Sequence, residues 1–308
     1  MRYYIKELEP DIKLGKIRVS SHSDADGVYS TSLLATIFPI EEVVFPDVFG
    51  EVLDEDVVLD QVPIKPSYSG IVIDHHPQHL ERRKYTLVLG DSPTSVVVYD
   101  LFKDKIKKED LWKVIGGAVG DGQGETIPGE IWDMYPELLE RYCYTREYYG
   151  ELKISSIPLY MLLSSPINSA CRVGQPYIAY KILKNATSYW NVLEDPALVA
   201  ARKRTDEERK KMLSDTHPID LGKVIVWKIS SDVKIESGLA RELEEKERKT
   251  VVVVNEKTGK ISIRGILALY LKEKMPQYYI GGHPGFTGGS LSKDQKVEDL
   301  IKDLRKLF

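Results

Sequence analysis

Aspartate and histidine residues recur in short groups along the first part of the chain, in combinations that suit metal binding. The two clearest groups are His22-x-Asp24-x-Asp26 and Asp74-His75-His76. Carboxylate oxygens favour hard divalent ions, whereas imidazole nitrogens favour borderline first-row metals. The residue types therefore indicate a site for divalent cations. For the second group taken alone, a turn capped by Asp74 with two solvated histidines is an equally good interpretation.

Predicted strands lead directly into these groups. The pattern of apolar and β-branched residues predicts strands over residues 16–21, 56–59, 71–73 and 85–89. The first three end just before His22, Asp60 and Asp74. In open α/β sheets, ligands bind outside the carboxyl ends of the strands, so these side chains belong at a site rather than in a core.

The spacing of His22, Asp24 and Asp26 lets an extended segment present all three side chains on one side before a helix predicted over residues 28–38. An acidic helix cap is the alternative, but a cap needs one aspartate and leaves His22 unexplained. Further helices are predicted over residues 92–102 and 110–119. The last one runs into a glycine-rich segment that contains Asp121, a further candidate ligand or an ordinary turn residue.

Taken in order, these residues resemble the motifs of a known family. The matching elements are His22-x-Asp24-x-Asp26-Gly27, Asp60, Asp74-His75-His76 and Asp121. They are similar to the four motifs of the DHH phosphoesterases, which include RecJ exonucleases, nanoRNases, cyclic-dinucleotide phosphodiesterases and a class of pyrophosphatases. Residues 281–290 resemble the glycine-glycine-histidine motif of the DHHA1 domain. The chain resembles a compact, archaeal-type RecJ-like nuclease, and no stretch suggests an OB-fold domain.

The resemblance implies a role for each motif residue. It implies that His22 and Asp24 hold one divalent cation, that Asp26, His75 and Asp121 hold a second, and that Asp60 bridges them. It also implies two catalytic positions: Asp74 orients the ligands, and His76 contacts the phosphate under attack. The mixed carboxylate and imidazole set favours Mn²⁺, with Mg²⁺ as the alternative.

Substrate contacts are implied by three further segments. Residues 165–174 resemble a RecJ segment, which makes Asn168 and Arg172 phosphate contacts, although Cys171 stands where the family usually has glycine. In the second domain, the implied substrate-binding residues are Arg264, Gly281, Gly282 and His283. The alternatives are a helix cap for Asn168, salt bridges for the two arginines and a flexible surface loop for the glycines.

Length and pattern together predict two domains of the α/β class. A chain of 308 residues exceeds one ordinary core. We expect a mostly parallel sheet with helices on both faces in a DHH domain over residues 1–194. A helical linker over residues 195–216 then leads to a smaller α/β DHHA1 domain over residues 217–308, across a cleft from the first.

Composition narrows the partners and the compartment. The formal net charge of −4 argues against a broad basic surface for duplex DNA. The N-terminal residues 1–16 are charged and lack a signal-peptide core, and no apolar run could span a membrane, so we expect a cytoplasmic protein without membrane contact. The two cysteines, Cys143 and Cys171, are expected to be buried free thiols. The aromatic run over residues 142–149 is expected to be packed core, with base stacking as the alternative.

The resemblance to the DHH phosphoesterases implies a metal-dependent exonuclease that degrades single-stranded DNA or RNA to mononucleotides by a two-metal mechanism, with 3′→5′ polarity, in DNA repair or replication. The partners expected are single-stranded nucleic acid or a short oligonucleotide and a repair or replication protein, and a homo-oligomer is compatible with the pattern. One alternative is a phosphodiesterase for short oligonucleotides or cyclic dinucleotides. Another is a non-catalytic RecJ-like replisome scaffold, against which the intact motif set argues.

Overall fold

The computed structural model describes residues 16–47, 49–52, 56–76, 84–148, 151–283, 285–292 and 294–308, with the backbone alone at 145–148, 151–153 and 282–283. The chain divides into two compact units, and the division falls between Arg202 and Lys203. The boundaries expected from the sequence, at residues 194 and 217, stay predictions. Each unit is described separately below.

The first unit is built around a parallel sheet. Its strands and helices in chain order are β1 (Ile17–Ser21), α1 (Ala25–Ile37), β2 (Ile40–Val44), β3 (Val57–Leu59), β4 (Ile71–Asp74), β5 (Thr86–Leu89), α2 (Thr94–Phe102), α3 (Trp112–Gly120), α4 (Gly129–Met134), β6 (Arg141–Tyr148), β7 (Glu151–Pro158), α5 (Ser164–Arg172), α6 (Pro176–Asn185) and α7 (Trp190–Glu194). The helix α8 (Pro196–Asp215) follows and contains the boundary between the units.

Five of these strands form one sheet in the order β2-β1-β3-β4-β5, and every neighbouring pair is parallel. The register aligns Ser21 with Leu59, and Leu59 with Ile73. The carboxyl ends of β1, β3 and β4 therefore lie side by side, and the residues that follow them share one edge of the sheet. The strands are short and rich in valine and isoleucine, as is typical of buried parallel sheets.

The two faces of this sheet are covered differently. On one face, alternate strand residues such as Val19, Leu59 and Ile73 join the helices in the main apolar core of the unit. On the other face, Val58 and Val72 pack in a smaller cluster with residues from adjoining loops. A parallel sheet flanked by helices, with a second sheet elsewhere in the chain, confirms the predicted α/β class.

Helix α1 begins earlier than its apolar pattern predicted. It starts at Ala25 rather than Val28, and Asp24 is its N-cap, with a side chain that accepts a hydrogen bond of 3.0 Å from the backbone N–H of Gly27. The expected extended segment through His22, Asp24 and Asp26 is therefore wrong, because Asp26 lies in the first helical turn. The structure confirms the capping interpretation for Asp24, and because a carboxylate has two oxygens, the cap is compatible with metal binding, which stays a prediction.

Strands β6 and β7 form a separate two-stranded hairpin that is not part of the main sheet. Tyr142 on β6 is 44 % exposed and Cys143 is also exposed, so the packed-core prediction for Tyr142 and the buried-thiol prediction for Cys143 are wrong. A hairpin that forms a sheet of its own leaves side chains open to solvent that a central strand would bury. Cys171 is buried, as predicted. Tyr149 lies outside the described residues, as does the side chain of Tyr148.

The second unit has a mixed sheet. Its elements are β8 (Ile219–Asp220), β9 (Val224–Ile229), α9 (Glu236–Glu247), β10 (Thr250–Asn255), β11 (Lys260–Arg264), α10 (Ala268–Lys274), β12 (Gly281–His283), β13 (Phe286–Ser290) and α11 (Val297–Leu307). The strand order is β12-β13-β11-β10-β9-β8, in which only β9 and β10 are parallel. The glycine-rich segment is thus a β-hairpin at the edge of a sheet, not a loop, because its backbone pairs with β11. Pro284 in this segment lies outside the described residues.

Helix α8 begins where Asp195-Pro196 predicted it, because Asp195 caps it through the backbone N–H groups of Ala197 and Leu198. Its charged face carries ion pairs, but Leu198 and Met212 are buried, so the helix is not solvated all round. Within the part of the chain that the structure describes, every helix is too short or too polar to cross a membrane.

Gly117 in α3 is required by packing next to the strand ends. A Cβ at this position would overlap the hydroxyl of Ser95 and lie 2.7 Å from Oδ1 of Asp26. We expect Gly117→Ala to lower the free energy of unfolding by about 1–3 kcal/mol, the usual cost of overpacking. Urea denaturation measures this change. Gly129→Ala is the matched control, because a Cβ there meets nothing within 4 Å, and equal effects of the two substitutions would contradict the packing role.

Candidate metal centre

The carboxyl edge of the parallel sheet brings together the motif residues that lie far apart in the sequence. His22 follows β1, Asp60 follows β3, and His75 follows β4. Asp121 directly follows α3 and reaches the same place, with its Oδ2 3.0 Å from Nε2 of His75. The side chains of Asp26 and Asp60 are almost fully buried. The structure thus collects these residues into one polar cluster with a buried centre.

Asp60 lies at the centre of this cluster. One carboxylate oxygen, Oδ2, is 3.5 Å from Nδ1 of His22, and the other, Oδ1, is 3.3 Å from Nε2 of His75. Oδ1 also accepts a hydrogen bond of 3.1 Å from the hydroxyl of Thr94. The backbone of Asp60 is left-handed, with φ +56°, a conformation that aspartate and asparagine adopt more readily than most residues.

Two groups of donor atoms share Asp60. The first contains His22, Asp24 and Asp60, and the second contains Asp26, Asp60, His75 and Asp121; within each group, one potential ligand atom per residue lies within 4.8 Å of the others. This is the division that the family resemblance implied, with Asp60 common to both. A third overlapping group contains Asp60, Asp74, His75 and His76. The arrangement can accommodate two neighbouring cations, and the assignment of individual ligands stays a prediction.

Asp26 is held by the start of helix α2. Its Oδ2 accepts a hydrogen bond of 2.6 Å from the backbone N–H of Thr94, and its Oδ1 accepts one of 3.1 Å from that of Ser95. These are among the first N–H groups of a helix, which have no partner within the helix and attract negative charge. Asp26 therefore contributes both to the cluster and to the docking of α2.

Asp74 fixes the orientation of the adjacent histidines. It is fully buried, and its Oδ1 accepts a hydrogen bond of 2.7 Å from the backbone N–H of His75 and lies 2.8 Å from Nδ1 of His76. A carboxylate bound to Nδ1 fixes the imidazole ring and leaves Nε2 to act. This geometry suits the predicted orienting role of Asp74 and the predicted phosphate contact of His76.

Burial and crowding shift the ionisation of the cluster. Burial, assisted by the charge of Asp60, raises the pKa of Asp26 to about 7. Burial also raises the pKa of Asp121 to about 6, against the opposing effect of His75. Burial lowers the pKa of His75, but the close carboxylates of Asp121 and Asp60 outweigh it and raise the pKa to about 12. Without cations, these carboxylates compete for protons and for the histidines.

The first group behaves in the same way. Burial disfavours the charged form of His22, but Asp24 and Asp60 outweigh this effect and raise its pKa well above the usual value. Burial likewise opposes ionisation of Asp24, and the His22 charge outweighs it and holds the pKa of Asp24 well below its usual range. Each imidazole acts as a counter-charge that a divalent cation would replace.

Several nitrogen and oxygen atoms of the cluster lack hydrogen-bond partners. Their positions show whether the site is suited to cations. Nδ1 of His22, Oδ2 of Asp60 and Nε2 of His75 are buried and make no well-formed hydrogen bond. Yet carboxylate oxygens lie between 2.8 and 3.5 Å from the two nitrogens. Close approach without hydrogen-bond geometry is expected when lone pairs converge on a common point instead of on each other. The donor set therefore fits divalent cations such as Mn²⁺ or Mg²⁺.

Asn168 connects α5 to the cluster through the backbone. Its Oδ1 accepts a hydrogen bond of 2.9 Å from the N–H of Ala25, the first residue of α1. This contact fits the helix-cap alternative for Asn168, and it places the amide beside the residue that follows Asp24. Arg172 lies one helical turn further along α5. Phosphate contact by either residue stays a prediction.

In the second unit, Arg264 at the end of β11 is half-buried and stacked. Its guanidinium carbon lies 3.7 Å from the centre of the Phe286 ring, and Nη2 donates a hydrogen bond of 3.1 Å to the hydroxyl of Ser237. Nε is buried without a partner, and burial lowers the pKa of this arginine. Among the described residues Arg264 forms no salt bridge, so its salt-bridge alternative finds no support there.

The glycine residues of the second unit are described by their backbone. Gly281 and Gly282 lie on β12 with His283, paired with β13. The side chain of His283 lies outside the described part of the structure. The substrate-binding roles of Gly281, Gly282 and His283 stay predictions.

Sequence reasoning missed several residues that shape the cluster. The N–H groups of Thr94 and Ser95 bind Asp26 from 68 and 69 residues away, which no local pattern signals. Phe49 contacts two of the site histidines, with ring centres 5.0 Å from His22 and 5.1 Å from His76. The helix α2 itself was predicted over residues 92–102, with Pro93 at its start, but its contact with Asp26 was not.

Binding of cations should stabilise the protein through Asp60. We expect Mn²⁺ to raise the thermal unfolding midpoint of the wild type, because ligands that bind only the folded state stabilise it. Asp60→Asn should abolish most of this increase, because the shared carboxylate is lost while asparagine tolerates the left-handed backbone. Alanine is a poorer choice, since strain would add its own cost. Asp133→Asn, an exposed carboxylate of α4, is the control, and an Asp60→Asn protein with the full Mn²⁺ effect would contradict the shared site.

Cation binding should also release protons. At about pH 6 the metal-free protein carries protons on Asp26, whose pKa is about 7, on His75, whose pKa is about 12, and on part of the Asp121 population, whose pKa is about 6. Ligands must lose these protons, so affinity for Mn²⁺ should fall as the pH is lowered. Calorimetry in two buffers of different ionisation enthalpy measures the protons released. A titration with no proton release and no pH dependence would rule out these residues as ligands.

Comparison with known proteins bears on the fold alone. No family model matches the sequence, and no curated protein matches it. Among solved structures, the chain is similar to RecJ from Thermus thermophilus, with 16 % identity over 95 % of this chain and a TM-score of 0.62 for the Mg²⁺ complex and 0.67 for the Mn²⁺ complex. The chain spans about half the length of that RecJ, 50–52 %.

For two further structures, the similarity extends over nearly the whole of the other chain. An exonuclease RecJ bound to manganese has a TM-score of 0.63 and 15 % identity, with 95 % of this chain and 89 % of that chain covered. A pGpG-specific phosphodiesterase, PggH from Vibrio, has a TM-score of 0.50 and 14 % identity, with 95 % and 98 % covered. The order of motifs along the sequence and the shared architecture agree: the chain has a RecJ-like DHH fold.

Proposed function

We propose that this protein is a metal-dependent hydrolase that cleaves phosphodiester bonds of single-stranded DNA or RNA as an exonuclease. The observation that carries the proposal is the pair of donor groups that share the buried carboxylate of Asp60. Two neighbouring cations held by these groups would suit phosphoryl displacement, in which attacking and leaving oxygens both need stabilisation. Likeness to structures of RecJ supports the choice of a nucleic-acid substrate.

The cations proposed are two Mn²⁺ ions, with Mg²⁺ as the alternative. His22 and Asp24 would hold one, Asp26, His75 and Asp121 the other, and Asp60 both. When bound, such ions would lower the pKa of a water molecule and neutralise charge that develops on the phosphate. Imidazole and carboxylate together suit Mn²⁺, and RecJ structures with either ion support both choices.

The remaining chemistry is assigned to residues of this chain. Asp74 holds Nδ1 of His76, so that Nε2 can donate a hydrogen bond to a phosphate oxygen of the scissile bond. Asp26, anchored by two backbone N–H groups of α2, keeps the second donor group in place. Because Asp60 and Asp26 are buried, bulk water is excluded from this side of the cluster, and charge interactions there are strong.

A phosphodiesterase for short oligonucleotides or cyclic dinucleotides is the second candidate. The likeness to a pGpG-specific phosphodiesterase along nearly the whole of both chains favours it. A non-catalytic scaffold is less well supported, because an assembly role gives no reason to gather four carboxylates and two histidines at one point. Substrate length is what separates the two enzymatic candidates.

Labelled single strands of graded length, from a dinucleotide upward, test the proposal in the presence of Mn²⁺. We expect shortening of long strands, with 3′→5′ polarity read from the position of the label, and no turnover in chelator or in Asp60→Asn. His76→Ala should retain Mn²⁺ binding but lose roughly ten- to a hundred-fold in kcat/KM, the value of one charge-assisted contact. Asp133→Asn again serves as the control.

Two outcomes of this assay would change the conclusion. Cleavage of dinucleotides alone would move the assignment to the short-oligonucleotide candidate. An Mn²⁺-loaded protein that leaves every strand intact would refute the hydrolase.

A further inference from the structure

Phe49 is an exposed aromatic ring in contact with the candidate metal centre. It lies between His22, which follows β1, and His76, which follows β4, with ring centres 5.0 and 5.1 Å away. The ring planes are inclined by 90° and 67°, so neither imidazole stacks face to face on it. The side chain is nevertheless 39 % exposed. Apolar ring surface therefore remains open to solvent directly beside the polar cluster.

The backbone at this point is held firmly. Gly50 has φ +80°, its N–H donates a hydrogen bond of 3.1 Å to Oε1 of Gln61, and its carbonyl accepts one of 2.9 Å from Ile64. A Cβ at Gly50 would overlap the carbonyl oxygen of Val62, so glycine is required there. The ring is thus presented from a fixed turn.

Gln61 connects this turn to the metal centre. It is fully buried, it follows Asp60 directly, and its Nε2 donates a hydrogen bond of 2.9 Å to the hydroxyl of Ser20 on β1. The same side chain therefore contacts the strand before His22 and the residue after Phe49. Single apolar side chains on a protein surface are common and need no explanation. Phe49 differs, because the buried side-chain amide of Gln61 fixes the neighbouring backbone and so holds the ring beside the proposed position of the scissile phosphate.

Within the described residues, other exposed aromatic rings lack this setting. For example, Tyr177 is 48 % exposed and contacts Tyr180 and Lys181, and Trp190 is 40 % exposed and contacts Tyr189. The ring centres of His76 and Phe49, in contrast, are 5.1 Å apart. His76 is the proposed phosphate contact, and Phe49 provides an apolar ring next to it. A nucleotide presents the same combination, a phosphate joined to a flat aromatic base.

We infer that Phe49 is a specificity-determining residue that stacks on a nucleobase of the substrate, so that the centre favours nucleotides over base-free phosphate compounds. This role deepens the proposed function and rests on it, because a phosphodiester at the cations places the adjoining base near Phe49. Stacking accepts any base, since every base has a π-face, so the preference should distinguish base from no base and not one base from another.

Ligand binding tests this role without turnover. The probes are adenosine 5′-monophosphate and ribose 5-phosphate, which differ by the base, titrated calorimetrically into Mn²⁺-loaded protein. We expect the wild type to bind the nucleotide more tightly, and Phe49→Ala to lose roughly ten- to a hundred-fold in nucleotide affinity with ribose 5-phosphate unaffected. Phe49→Trp should keep the preference, whereas Phe49→Leu, which retains apolar bulk but lacks an aromatic face, should lose most of it. Tyr177→Ala is the matched control and should behave as the wild type.

Mn²⁺ affinity of the same variants separates recognition from mere support of the histidines. If Phe49 only packs against His22 and His76, Phe49→Ala should weaken Mn²⁺ binding and reduce affinity for both probes alike, and this result would overturn the inference. Equal affinity of the wild type for the two probes would overturn it as well. Strand hydrolysis is measured separately. If the wild type cleaves strands but binds both probes equally, the proposed function stands and the role of Phe49 is contradicted. If the wild type prefers the nucleotide, Phe49→Ala removes this preference and no strand is cleaved, the recognition role of Phe49 stands and the proposed hydrolase activity is contradicted.

Discussion

The burial of several negative charges around one carboxylate is the constraint on which the first unit depends. Asp60 is 1 % exposed, and burial together with the charges of Asp24 and Asp121 raises its pKa. Such a cluster is tolerated only if positive or partly positive groups surround it. Two histidines, the N–H groups at the start of α2 and a threonine hydroxyl supply them. The parallel register, the placement of α2 and the sharp turn at Asp60 all serve to bring these groups to one point.

The elements nearest this point were the most predictable from the sequence. Short runs of β-branched and apolar residues such as Val57-Val58-Leu59 are typical of buried strands. A charged or polar residue directly after such a run lies at the edge of the sheet formed by the carboxyl ends of the strands. The order of motifs then predicted the fold, since five separate elements rarely occur in one order by chance. What the pattern could not reveal was which partner each carboxylate meets. Asp26 binds α2 through contacts across 68 residues, and no property of Asp26 itself identifies Thr94.

Local competition explains the errors. The apolar pattern predicted α1 from Val28, but Asp24 offers a cap that extends the helix to Ala25, and capping strength is not visible in hydrophobicity. Tyr142 and Cys143 are residue types that often lie in a core, yet they belong to β6, which pairs only with β7 in a two-stranded sheet. The flexible-loop alternative for the glycines of residues 281–290 was also wrong, because their backbone groups pair in a sheet although glycine is a weak strand former. In the first and last of these cases a hydrogen bond to the backbone outweighed the side-chain pattern.

The hairpin of β6 and β7 has a kinetic consequence. Its strands form a sheet of two, in which paired residues are at most 17 positions apart in the sequence (Arg141 and Pro158). Isolated two-stranded hairpins are marginally stable, so we expect this one to open locally while the parallel sheet stays folded. Its amide hydrogens should exchange with solvent through such local opening, whereas those of β1, β3 and β4 should exchange only when the first unit unfolds. The slow-exchanging part of the unit would then coincide with the strands that carry the metal centre.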